Sequence, residues 1–211
     1  MRRIRDIGVS LVGLVIASPL MVVCALMIVA ESGGPVLFRQ LRVGKAGKCF
    51  RIHKFRTMKP GVPGLLVTAE TDARITRVGH LLRRWKLDEL PQLVDVLLGS
   101  MSLVGPRPEV PAYVELWPEE ERREILSVRP GLTDPMTVLL RDEERLLANA
   151  IDPQREYVEN LVPKKVRGYV SYVRHRSFWG DAMILMSTLR TIIAPAATAD
   201  ESGRFTNSEV V

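Results

Sequence analysis

The dominant feature of the hydropathy pattern is an apolar run at the amino terminus. From Ile7 to Ala30, "IGVSLVGLVIASPLMVVCALMIVA" carries no charged side chain. As a straight helix the run measures roughly 36 Å, enough to cross a hydrocarbon layer. It is too long for a secretory signal, and no small-x-small cleavage site precedes Glu31. Ser18-Pro19 falls midway, where proline removes a backbone donor and crowds the preceding turn. Arg2, Arg3 and Arg5 precede the run, and Arg39, Arg42, Lys45 and Lys48 follow it. Basic flanks tend to stay cytoplasmic, which would hold both ends on one side. A re-entrant hairpin broken at Ser18 and Pro19 satisfies both flanks; a kinked single crossing satisfies one. The residues alone leave both open.

Beyond Glu31 the pattern changes period. "PVLFRQ" and "CFRIHKF" alternate, and the glycines of "RVGKAGK" between them predict a β-hairpin. Helical spacing predicts helices over 74–85, 89–98, 111–127, 153–161 and 164–175. "SLVGPRPE" and "VRPGLTDP" read as stiff loops between helices, each carrying an arginine. "FWGDAMILMSTLRTII", 178–193, is either a core helix or an amphipathic helix lying on a bilayer. From Pro195 the composition is that of a disordered tail. The expected fold class is α/β, of a helix-rich α+β kind. The expected division is 1–32 membrane segment, 33–194 folded domain and 195–211 tail.

Composition narrows the function classes. The 211 residues suffice for one domain with a core. A net charge of +6 favours anionic partners. Nucleic acid is disfavoured, because aromatics are 6% and do not interleave with the basic residues as stacking platforms would. Cys24, Cys49 and three scattered histidines predict neither a disulfide framework nor a His/Cys metal site.

The candidate chemistry centres on Asp88-Glu89-Leu90-Pro91. Read structurally, Asp88 is an N-cap and the acids and proline open a helix. Read chemically, an ionised aspartate is a nucleophile and a neighbouring glutamate holds a divalent cation. Lys54, Arg56, Arg83, Arg107 and Arg129 each read as a solvated cation alone. Together they sit at turns or element ends, where function gathers, and two are braced by proline against the entropy cost of gripping phosphate. No P-loop, dinucleotide fingerprint or serine or cysteine nucleophile signature is present.

"KFRTM", "LDELPQL", "MSLVGPRPE" and "VRPGLT", in this order behind an apolar segment containing Ser-Pro, closely resemble the bacterial sugar transferases. More narrowly, the chain resembles monotopic phosphoglycosyl transferases, over Arg2 to about Ile193. The resemblance implies a small catalytic core with a β-hairpin and interfacial amphipathic helices. It places that core on the cytoplasmic face of the bacterial inner membrane, anchored by a re-entrant helix broken at Ser18-Pro19. It implies that Asp88 attacks the β-phosphorus of a UDP-sugar, releasing UMP, and that polyprenyl phosphate then takes the phosphosugar. Glu89 matches the residue expected to bind Mg²⁺, and the basic residues would contact phosphate. Anionic membrane lipid is a further expected partner, and a homodimer is left open.

After "VRPGLT" the chain departs from the commonest family pattern, which continues with Gly-Trp and an Asn-Gly-Arg turn. "DPMTVLLRDEERLLA" stands there instead, so no roles transfer to Asp134-Pro135 or to residues 141–144. The multi-span extension of larger relatives is not seen in this sequence, which reads as a minimal catalytic form. The rival from another class is a catalytically silent membrane-surface scaffold, against which the intact Asp88 and Glu89 argue.

Overall fold

The computed structural model describes residues 2–62, 64, 67–140 and 143–193. The expected tail at 195–211, and residues 141 and 142 of the atypical segment, lie outside the described residues.

α1 (Arg2–Ser32) remains helical through Ser18 and Pro19, so the break expected there is not a break in the backbone. The reason lies in one substituted bond. Pro19 has no N–H to give to the carbonyl of Val15, four residues earlier. Ser18 Oγ donates to that carbonyl instead, at 2.8 Å. Among the described residues α1 is the one helix long and apolar enough to cross a membrane, and only 11% of its most apolar stretch is buried.

Both ends of α1 are tied to the rest of the chain. At the amino end Arg3 donates to the carbonyls of Val96 and Leu97, Ser102 Oγ donates to Asp6 at 2.6 Å, and Arg5 pairs with Asp181 at 3.0 Å. At the carboxyl end the Glu31 carboxylate accepts from the N–H groups of Arg77 (2.8 Å) and Val78 (3.0 Å). Those two groups open α2 (Arg77–Arg84), so Glu31 satisfies donors that a helix start leaves unpaired.

The predicted hairpin forms: β1 (Leu37–Val43) pairs antiparallel with β2 (Cys49–Phe55), from Leu37 opposite Phe55 to Val43 opposite Cys49. After α2, Lys86 takes a left-handed conformation at φ 53, and a single 3₁₀ turn (Leu87–Glu89) precedes α3 (Gln92–Leu98). The helix expected from residue 89 therefore starts later. Pro91 stands at its N-cap, and Asp88 is no cap of it.

The two Pro-Gly stretches hold a pairing that the sequence reading missed. β3 (Ser102–Val104) lies parallel to β4 (Gly131–Thr133). Strands of three residues are too short to show a period. The approach depends on glycine: a Cβ at Gly131 would sit 2.1 Å from the Gly105 nitrogen. Between them, the helix expected over 111–127 is two pieces, α4 (Pro111–Val114) and α5 (Glu119–Ile125), parted at Pro118.

α6 (Pro135–Leu139) and α7 (Glu143–Ala148) occupy the atypical segment. α8 (Pro153–Glu156) runs through a π-helical turn, Tyr157–Leu161, into α9 (Val162–His175), and α10 (Phe178–Ile193) follows. The core has three parts. One gathers Tyr113, Trp117, Ile125, Leu161 and Tyr169; a second joins Ile52, Val96, Leu103 and Tyr172; a third sets Cys24 and Ile28 of α1 against Phe55 and Leu82. α10 packs Ile184 and Leu185 inward, as the core reading expects, and leaves Trp179, Met183 and Met186 exposed.

Candidate active site

The hairpin, the turn before α3 and the loop after β3 bring four charged groups together. Lys54 comes from β2, Asp88 and Glu89 from the 3₁₀ turn, and Arg107 from between two prolines. Lys54 Nζ lies 2.7 Å from Glu89 Oε1 and 3.9 Å from Asp88 Oδ2. Arg107 holds Glu89 with both terminal nitrogens, one at 3.2 Å from Oε2 and the other on Oε1. All four line one cavity of about 1100 Å³, a volume suited to a ligand larger than a simple metabolite.

The two carboxylates differ in state. Burial works against the charge on Glu89, but Arg107 and Lys54 outweigh it and hold its carboxyl well below the usual range. Asp88 is pushed up by burial, with Lys54 opposing and Glu89 adding to the rise. Asp88 is 7% exposed, and its Oδ1 has no hydrogen-bond partner. An N-cap would commit that carboxylate to backbone N–H groups. Here it is held buried, beside a lysine, with one oxygen uncommitted. Neighbouring acids pushed apart in this way are characteristic of reaction centres.

The arginine at the bidentate pair is perturbed in turn. Glu89 foremost holds the Arg107 guanidinium well above its ordinary value, so it stays charged. Lys54 is lowered by burial, against the pull of Glu89.

The remaining predicted cations divide. Arg83 lines the cavity, donating to Thr57 Oγ1 (3.0 Å) and to Glu144 (3.1 Å). Arg56 also reaches the lining, but its terminal nitrogens are committed to the end of α1. They donate to the carbonyls of Gly34 (2.8 Å) and Gly33 (2.6 Å) and to Ser32 Oγ (2.8 Å). Cations complement the unpaired carbonyls at a helix C-terminus, and Arg56 is bonded at and just past the end of α1. Arg129 is exposed, donates to the Gly99 carbonyl at the end of α3 (2.9 Å), and is not in the cavity wall.

The sequence reading missed a buried set behind Arg107. Glu109 accepts from Tyr157 Oη (2.6 Å) and from Arg42 (3.2 Å), and Lys165 reaches Glu143 (2.8 Å). Glu109 stood inside the quoted "MSLVGPRPE"; the others carry no local signal.

Among the described residues no group of three or more His, Cys, Asp or Glu could cage a metal. Mg²⁺ characteristically takes one or two carboxylates and completes its shell from ligand phosphates and water. Of Asp88 and Glu89, Glu89 is the one held ionised, and it would have to give up contact with Lys54 or Arg107 to serve such an ion.

Comparison with known proteins bears on this arrangement. The family model described as bacterial sugar transferase matches residues 1–195. The exopolysaccharide production protein PSS of Rhizobium leguminosarum is 44% identical over 143 residues, covering 63% of this chain and 70% of that protein. The UDP-glucose:undecaprenyl-phosphate glucose-1-phosphate transferase of Caulobacter vibrioides is 35% identical over 198 residues, covering 91% and 69%. The UDP-N-acetylgalactosamine-undecaprenyl-phosphate N-acetylgalactosaminephosphotransferase of Aeromonas hydrophila is 37% identical over 198 residues, and the chain spans 43% of its length.

Proposed function

Because the chain belongs to the bacterial sugar transferase family, we propose that it moves a sugar 1-phosphate from a UDP-sugar to polyprenyl phosphate, as the first membrane step of glycoconjugate assembly. The observation that carries the chemistry is the buried Asp88 with its uncommitted Oδ1, next to a Glu89 saturated by Lys54 and Arg107.

In the first half, a carboxylate oxygen of Asp88 forms a bond to the β-phosphorus, and the bond from that phosphorus to the bridging oxygen breaks. UMP leaves with the bridging oxygen and its electron pair. In the second half, an oxygen of polyprenyl phosphate attacks the same phosphorus and the aspartyl bond breaks. The products are polyprenyl diphosphosugar and a restored Asp88 carboxylate. Splitting the transfer lets a soluble donor and a lipid acceptor use one site in turn. A loose phosphoryl transition state needs positioning and charge neutralisation above all. Arg107 and Lys54 supply fixed positive charge from the cavity lining, of which Arg83 is also part. Mg²⁺ bound through Glu89 would add neutralisation of the diphosphate.

The membrane setting follows from α1. Its exposed apolar surface suits lipid, while both its ends bond to the same folded domain. A re-entrant helix on the cytoplasmic leaflet of the inner membrane accommodates both. Ser18 then satisfies in lipid the carbonyl that Pro19 leaves unpaired. The outward Trp179, Met183 and Met186 of α10 would rest at the headgroups, with Arg176 and Arg190 toward anionic lipid.

The test is direct. UDP-sugars, Mg²⁺ and polyprenyl phosphate supplied to the full chain should release UMP with ping-pong kinetics. A chain that binds lipid but releases no UMP from any sugar nucleotide is a scaffold, and the proposal falls.

A further inference from the structure

The reaction above uses Asp88, Glu89, Lys54, Arg107 and Arg83 and leaves other lining residues without a task. Tyr169 of α9 also lines the cavity; it is 1% exposed, and its hydroxyl has no hydrogen-bond partner. A buried polar group left unpaired costs about 1–3 kcal/mol. Such groups are uncommon, and one on a residue that lines a ligand cavity points to a ligand.

Its neighbours are polar as well. Lys165, one helical turn earlier on α9, is 5% exposed and lies 2.8 Å from Glu143 and 3.1 Å from Tyr157 Oη. Tyr157 sits in the π-helical turn, a distortion that recurs at functional sites. Glu143 is supplied by α7, in the segment where the sequence departs from the family pattern. Thr137 and Leu140 from that segment line the cavity with it.

We propose that Tyr169, Lys165 and Glu143 form the subsite for the sugar ring, Tyr169 donating its hydroxyl hydrogen to a ring hydroxyl. The inference rests on the reaction proposed above and adds which residues read the sugar. A sugar offers adjacent hydroxyls, each both donor and acceptor. An ammonium, a carboxylate and a neutral phenol answer them with both kinds of group. Burial, with Asp134 and Glu109 nearby, pushes the Tyr169 hydroxyl well above its ordinary value, so it keeps its proton. The sugar is also what differs among the relatives' names, so a reader of it belongs on a segment outside the shared motifs. A site built to bond a hydroxyl discriminates strongly against a sugar that misplaces it.

The experiment uses the full chain in detergent or native membrane. UMP release is measured from UDP-glucose, UDP-galactose and their two N-acetylamino counterparts, for wild type, Tyr169→Phe and Glu143→Gln. UMP inhibition and thermal unfolding are measured alongside. Tyr169→Phe should melt at or above wild type, because it deletes only an unpaired hydroxyl. It should lower kcat/KM for the preferred sugar by about 10- to 100-fold, with UMP inhibition unchanged and the preference among sugars narrowed. Glu143→Gln should reorder the preference, and it alone decides if Tyr169→Phe does not fold. Variants that keep the wild-type sugar profile, or lose all sugars and UMP inhibition together, overturn the subsite alone. A wild type that releases UMP from none of the four overturns the reaction and the subsite with it.

Discussion

Arg107 grips both carboxylate oxygens of Glu89, so the guanidinium best placed to take a phosphate is already occupied by a carboxylate. In the proposed reaction an incoming diphosphate would compete for that grip and free Glu89 for a metal. The Glu89→Gln variant weakens the grip before substrate arrives. It should fold, lose about 100-fold or more in kcat, and show a flatter dependence of rate on Mg²⁺. Rates measured across a Mg²⁺ titration check this, and an unaltered titration would remove Glu89 from the metal's path.

Asp88→Asn should abolish UMP release and leave no phosphosugar on the protein by intact-mass measurement. Its thermal unfolding should be unchanged or shifted upward. Burial raises the folded-state pKa of Asp88, so stability is lost as pH rises from the ordinary 3.8 through the raised value. A neutral side chain of the same shape removes that loss. A mass adduct persisting on the variant would place the nucleophile elsewhere.

The same shift sets a pH profile. Turnover needs the carboxylate, so kcat/KM should fall as pH drops through a value above the ordinary 3.8 of aspartate. Lys54 holds that value down by its charge. Lys54→Met should therefore move the acid limb to higher pH, beyond any general loss of rate. A limb that stays in place would show that another group controls it.

Arg56 should separate stability from chemistry, and Arg107 should not. Arg56→Ala strips the end of α1 of its bonds and should destabilise the fold by about 1–3 kcal/mol, leaving kcat of the folded fraction near wild type. Arg107→Ala should lower kcat of the folded fraction and also destabilise, since it leaves the buried Glu89 without its bidentate partner, and Arg129→Ala should change neither. Thermal unfolding and UMP release on the same preparations distinguish the three.

These contrasts show what a linear reading reaches. Asp88, Glu89, Lys54 and Arg107 were legible because their segments are short, dense and ordered. The bonding of Arg56 was not legible for a definable reason. By strand alternation it should share the face of Lys54, but β2 ends at Phe55 and the Arg56 side chain turns to the carbonyls of Gly33 and Gly34, just past α1. Asp88 read both as a cap and as a nucleophile because capping and catalysis favour the same residue types, and the structure excludes the cap by placing Pro91 there. The parallel pair of β3 and β4 was beyond reach, since three-residue strands leave no period and their partners lie far apart in sequence. Tyr157, Lys165 and Glu143 meet only through the packing of α7 against the later helices.

The topology has its own check. Reactive tags at residues 2 and 45 should both be modified from the cytoplasmic side alone. Modification from opposite faces would require α1 to span the bilayer.

The attachment of α1 at both ends changes what kind of anchor it is. Cutting the chain after residue 32 would take away the carboxylate that starts α2, the cap on the α3 carbonyls and the apolar partners of Phe55 and Leu82. The helix is thus a girder of the domain that also happens to be lipid-soluble. A water-soluble form has to be sought by recolouring its outward residues, since deletion would dismantle the domain, and no borrowed membrane tether could stand in for it.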